Sequence, residues 1–147
     1  MVIDTRTVQA FGKNHIPGTI NIPHGLDFAT WTGWLTGYAT LFYIIAAGDQ
    51  VDEMAKDLFY IGLDNMAGYF ETSILQTWVA NGKPLQSDET TIPQAIAEKV
   101  KNREVTTIAV RPLQMWKAGH IPGAMPPMLG LISDRGAEIS KNKPILL

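Results

Sequence analysis

Two different spacings of apolar residues alternate along this chain. Residues 1–6, "MVIDTR", form a short apolar stretch closing on Asp4 and Arg6, and predict a strand. Leu41–Ala47, "LFYIIAA", is an unbroken apolar run with the length of a strand buried on both faces. The spacing then changes. In "GDQVDEMAKDLFYIG", Val51, Met54, Ala55, Leu58 and Phe59 fall on one face of a helix, and Gly62 is placed to stop it. "LDNMAGYF" predicts another short strand with its loop. Strand, helix and strand joined by tight links predict a right-handed βαβ unit on a parallel sheet.

Weaker patterns fill the rest. "TVQAFGKNH" suits a short helix closing at Gly12. "IPG" combines a Pro that pre-sets φ with a Gly that accepts positive φ, as a type II turn requires. "TINIP" predicts a strand ended by Pro23, and "LDFATWTGWLTGY" places Leu26, Trp31, Trp34, Leu35 and Tyr38 at helical spacing. Polar, turn-rich Gly82–Glu89 is the candidate boundary. Beyond it come a helix in "IPQAIAEKVKNR" with Pro93 in its first turn, and a strand in "EVTTIAVR". A Pro-rich loop, a helical-looking segment and a final strand in "KPILL" complete the chain.

Bulk numbers narrow the class. A length of 147 residues suits one domain, or one and a fraction, and 46% hydrophobic with 18% charged residues suits a globular core. Twelve basic against 14 acidic residues, with no block of one sign, point away from nucleic acid and from an anionic membrane surface. The longest apolar run falls far short of the ~20 residues a bilayer crossing needs. With no basic-then-apolar leader at the N-terminus, a cytoplasmic protein is expected. The absence of cysteine excludes disulfides, thiolate metal sites and a Cys nucleophile within these residues.

"His-Ile-Pro-Gly" occurs twice, at His15–Gly18 and His120–Gly123, an offset of 105 residues. At that offset Arg6 meets Arg111, Gln9 meets Gln114, Phe11 meets Trp116 and Pro17 meets Pro122, while Asp4 meets Ala109. A match in register over some twenty residues marks an internal repeat.

"VIDTRTVQAFGKNHIPGTINIP" and "IAVRPLQMWKAGHIPGAMPP" both resemble the opening signature of rhodanese domains: apolar strand, Asp-x-Arg, an aromatic, then a His-Ile-Pro-Gly turn. The resemblance implies an α/β fold with a mainly parallel, five-stranded central sheet and helices on both faces, in tandem copies. Residues 1–83 would be a first domain lacking its leading strand and helix, and residues 84–147 the front of a second. It also implies truncation at both ends.

The resemblance locates the chemistry as well. A rhodanese active site is a Cys-led loop whose backbone amides converge on sulfur between a central strand and the next helix; such amides and the helix N-terminus lower a thiol pKa and hold a persulfide. The matching loop here is Ala46, Ala47, Gly48, Asp49, Gln50 and Val51. Ala46, give or take one position, stands where the nucleophile would be, and Asp49, Asp52 and Glu53 replace the usual Arg. The first copy is therefore expected to be a non-catalytic module of a thiosulfate- or persulfide-handling protein. As an alternative, the second copy is the front of an active sulfurtransferase whose Cys lies beyond Leu147. A third reading makes the vacant loop a binding module for a small anion or a protein carboxylate.

The Cys-less loop, followed by "DLFYIGLDNMAGYFE" and a second rhodanese start, also resembles fusions of a metallo-β-lactamase-fold domain with tandem rhodaneses. That implies a parent of the persulfide dioxygenase or hydrolase kind, with iron in a missing upstream domain and no cofactor in this chain. The expected partners are the parent's other domains and a second copy of the chain.

Asp4, Arg6, His15, Pro17, Gly18, Arg111, His120, Pro122 and Gly123 are expected to serve structure. His15, His24 and His120 lack metal-ligand spacing, and two of them precede the same turn, where a hydrogen bond to the turn is the simpler role. Phe28, Trp31, Trp34 and Tyr38 are divided between core and a contact surface. Asp134-Arg135-Gly136 reads as a surface turn.

Overall fold

The structure, a computed structural model, describes residues 1–110, 113–126, 139 and 142–147. It forms two compact units, Met1–Thr90 and Thr91–Leu147.

The first unit is built on parallel strands. β1 (Val2–Asp4) lies between β2 (Ile20–Asn21) and β3 (Phe42–Ala46), and β4 (Met66–Glu71) pairs with β3, giving the order β2-β1-β3-β4 with every pairing parallel. Four strands are described rather than the five expected. The other apolar residues of this unit go into helices α1 (Val8–Lys13), α2 (Phe28–Thr36), α3 (Val51–Tyr60) and α4 (Ile74–Ala80).

Alternation along the strands separates two cores. Ile3, Phe42, Ile44 and Ala46 face one way and pack with Phe28 of α2 and with Met54 and Leu58 of α3. Val2 and Ile45 face the other way, against Leu75 and Trp78 of α4 together with Ile16 and Leu85. Helices therefore cover both faces of a parallel sheet, which is why β3 carries no polar alternation.

Several details depart from the sequence reading. Gly12 does not end α1: the helix continues to Lys13, and the chain leaves it at Asn14 in an extended conformation (φ −163°, ψ 137°). The start of α1 is set instead by the Thr7 hydroxyl, which accepts from the Ala10 amide at 3.2 Å. Phe59 is 70% exposed rather than inward, because Met54, Leu58 and the flanking Val51 and Ile61 fill the inner face of α3. The aromatic set on and just after α2 divides: Phe28 is buried, Trp31 packs on the core, and Trp34 and, beyond the helix, Tyr38 are each 61% exposed. Gly62 does end α3 in the left-handed region, at φ 75°.

The second unit contains α5 (Pro93–Lys101), β5 (Thr106–Thr107), α6 (Leu113–Ala118) and β6 (Ile145–Leu146). β5 and β6 pair in parallel; of the longer strand expected over Glu104–Arg111, the described residues 104–110 form two strand residues plus a bridge from Ile108 to Met125. That bridge repeats, at the offset of 105, the pairing of Ile3 with Ile20 in the first unit. The helical-looking segment and Asp134-Arg135-Gly136 lie outside the described residues. Among the described residues, no helix is long and apolar enough to cross a membrane.

Candidate functional site

In the first unit the C-terminal ends of β1 and β3 carry the polar groups, the end at which parallel α/β sheets place their sites. Asp4 is fully buried (0%) where β1 ends. Arg6 folds back onto it: Nε donates to Asp4 Oδ1 at 2.9 Å and Nη2 to Oδ2 at 2.7 Å, a bidentate pair with the Arg6 side chain 17% exposed. Arg6 Nη2 also donates to the Asn14 carbonyl at 2.8 Å, while Asn21 Nδ2 donates to the Asp4 and Arg6 carbonyls at 2.8 and 2.9 Å. The pair thereby ties the end of β1 to the exit of α1 and to β2. Burial of Asp4 is tolerated because its oxygens are this fully engaged.

Arg6 and Asn14 also line a cleft of about 630 Å³ with Thr72, Gln76, Leu75 and Leu85. The cleft is wide and open, and Arg6, the one cation among its described lining residues, is already paired with Asp4.

The two His-Ile-Pro-Gly segments adopt the same local structure. His15 stacks on Phe11 with ring centroids 4.0 Å apart, and His120 stacks on Trp116 at 3.7 Å. In both, Nδ1 lies 3.1 Å from the carbonyl of that aromatic; a carbonyl only accepts, so Nδ1 carries the proton. Each turn then closes alike, with Gly18 at φ 83° and Gly123 at φ 84°, and with Thr19 N–H donating to Ile16 O and Ala124 N–H to Ile121 O. Pro17 and Pro122 stand at the second position of these turns, where a φ near −65° is wanted. Among the described residues no three His, Cys, Asp or Glu side chains group as metal ligands would. Arg111 lies outside the described residues.

The loop after β3 is compact. Ala46, the last residue of β3, is 1% exposed with its methyl in the core beside Met54, so its side chain does not face the loop. Ala47 is half-buried and is the first residue of the loop. Gly48–Gln50 form a single 3-10 turn, and α3 starts at Val51. The Gln50 and Val51 amides donate to the carbonyls of Ala47 and Gly48, which leaves fewer amides to converge on a ligand. The sheet adds one more acid to those of the loop: Glu71 pairs with Ala46 across β3–β4, and a Cβ on Gly48 would come within 2.5 Å of Glu71 Oε1. Glu71, which sequence reasoning missed, joins Asp49 in the loop and Asp52 and Glu53 in the first turn of α3. Only strand register reveals it.

No family model and no curated protein matches the chain. Among solved structures it is similar to a metallo-β-lactamase from Staphylococcus aureus, with 34% identity over 48% of this chain and a TM-score of 0.45. The chain spans about a fifth of that protein's length (21%). It is also similar to a Rhodanese_3-like domain from Anabaena, with 18% identity over 63% of this chain and 96% of that domain, TM-score 0.49. A thiosulfate sulfurtransferase from Pseudomonas aeruginosa aligns over 93% of this chain and 30% of its own, at 16% identity and a TM-score of 0.45. The fold class itself, an α/β protein with a parallel sheet covered on both faces, is read directly from the strand pairings and the two cores.

Proposed function

We propose that this chain is a non-catalytic, rhodanese-like module of a cytoplasmic protein that handles thiosulfate or persulfide. The observation that carries the reading is the loop Ala46–Val51: a strand-to-helix turn in the place where such folds hold sulfur, with a methyl turned into the core and carboxylates from Asp49 and Glu71 beside it. Carboxylates there repel an anionic sulfur donor, and alanine cannot carry a persulfide. In this reading the module packs against a catalytic domain of its parent, and any iron belongs to that domain. Iron loading of this polypeptide is accordingly expected to fail. Thiosulfate:cyanide sulfurtransfer by the polypeptide is expected to stay at the uncatalysed rate; turnover above it overturns the reading.

A second reading has its own support. β5 pairs Thr107 with Leu146 as β1 pairs Val2 with Tyr43, so Leu147 stands level with Ile44 and the counterpart of Ala47, the first residue after the strand, falls three residues later. A cysteine at that place in the parent gene, with an arginine shortly after, makes the second copy an active sulfurtransferase; alanine or aspartate there removes the idea.

A further inference from the structure

The outer side of α3 takes no part in the core or in the loop after β3. Phe59 (70%) and Tyr60 (81%) are exposed at its end, and with Asp52, Ala55 and Lys56 they line a hollow of about 420 Å³. Asp52, Lys56 and Tyr60 form one i, i+4 ridge, and Ala55 and Phe59 form the neighbouring one. A groove between two such ridges is the surface into which the side-chain ridge of another helix packs. The chemistry of the occupant follows from charge. Asp52 lines the groove beside Lys56, Glu53 and Asp57 form the next ridge on one side of it, Asp49 lies one turn before, and residues 1–90 as a whole carry ten acidic residues against four basic.

We infer that the outer groove of α3 is a docking site for a lysine- or arginine-rich amphipathic helix of a partner protein, with Phe59 and Tyr60 as its apolar anchors. The occupant's apolar stripe covers the two rings, and its basic flanks meet Asp52, Glu53 and Asp57. The inference goes beyond the sulfur reading and does not depend on it: the groove faces away from the core that holds Ala46, and its test involves no sulfur chemistry.

The test uses the full chain labelled with ¹⁵N and a synthetic peptide of about 18 residues, ~27 Å when helical. The peptide carries leucines at helical spacing and lysines elsewhere; a second peptide replaces the lysines with glutamates. The lysine peptide is expected to shift amides within Val51–Tyr60 and their immediate neighbours, and to weaken as salt is added. Phe59→Ser is expected to lower its affinity at least about tenfold. Asp52→Lys, which leaves the rings in place, is expected to lower it too, so the result does not hang on one variant's folding. Equal binding of the glutamate peptide, shifts centred elsewhere, no shifts at millimolar peptide, or a self-associated dimer that occupies these same residues would each overturn the inference.

Discussion

Asp4 and Arg6 make the sharpest residue-scale contrast between the two repeats. In the first copy a buried carboxylate is satisfied by a bidentate guanidinium, and the guanidinium is in turn held by the Asn14 carbonyl. Removing one member leaves the other without its partner in a site with little water. Asp4→Ala is therefore expected to destabilise the first unit by about 3 kcal/mol, the low end for a buried pair because Arg6 is partly exposed, read as a fall in the urea midpoint at unchanged slope. Arg6→Lys keeps the charge but not the two-pronged geometry, and should cost less than Asp4→Ala. A midpoint unmoved by Asp4→Ala would contradict the role assigned to the pair. The loop offers a second residue-scale prediction. Ala47→Cys places a thiol at the start of the turn, yet Asp49 and Glu71 disfavour the thiolate and repel thiosulfate. Sulfurtransfer is expected to remain at the uncatalysed rate; appreciable activity would mean that the missing sulfur atom alone, and not the surrounding charge, had disabled the site.

Among the elements, α3 shows what periodicity can and cannot say. Met54 and Leu58 are buried while Phe59, one position on, is turned out. A helical wheel gives the width of an apolar stripe but not which of its edges meets the sheet. Leu58→Ala is expected to cost about 2–5 kcal/mol by opening a cavity under β3, whereas Phe59→Ala should change stability by less than about 0.5 kcal/mol. Thermal or urea unfolding of the two variants separates them, and similar losses would place Phe59 in the core. β3, α3 and β4 were legible because a long apolar run and a 3.6-residue pattern stand side by side there. α4 was not, although Ile74, Leu75, Trp78 and Val79 do recur at helical spacing, since two turns are too short to separate a helix from a loop and Ser73 supplies no side-chain cap to mark the start. Its position is settled by packing: Leu75 and Trp78 cover Ile45 on the second face of the sheet. The histidine turns were legible as a repeat, but the ring stacking that organises them is visible only in three dimensions. Glu71 was hidden for a related reason, being twenty residues or more from the loop in sequence and adjacent to it only through strand register.

At the scale of the whole molecule, the sheet of the first unit ends on β4, whose described pairing is with β3 alone. The sequence of that edge, "MAGYFE", has no proline and no lysine, and both Tyr69 (46%) and Phe70 (39%) are exposed on it. An edge of this kind presents backbone donors and acceptors along with apolar rings, and only the Glu71 charge at its end and the register irregularity before Gly68 oppose pairing with another strand. In the second unit, among the described residues, Ile96 and Val100 of α5 line an open cleft of about 550 Å³ with Ile121 and Leu146. Self-association that grows with concentration is the expected consequence, measured by light scattering as an apparent mass rising above 16.2 kDa. Tyr69→Lys puts a solvated charge on the β4 edge and should bring the mass back toward that of a single chain. The same substitution lies on a different element from Phe59, so it should leave lysine-peptide binding at α3 intact. An unsubstituted chain that scatters as a monomer at every concentration would mean that the edge is protected by its own twist and shortness, and that no partner strand is needed.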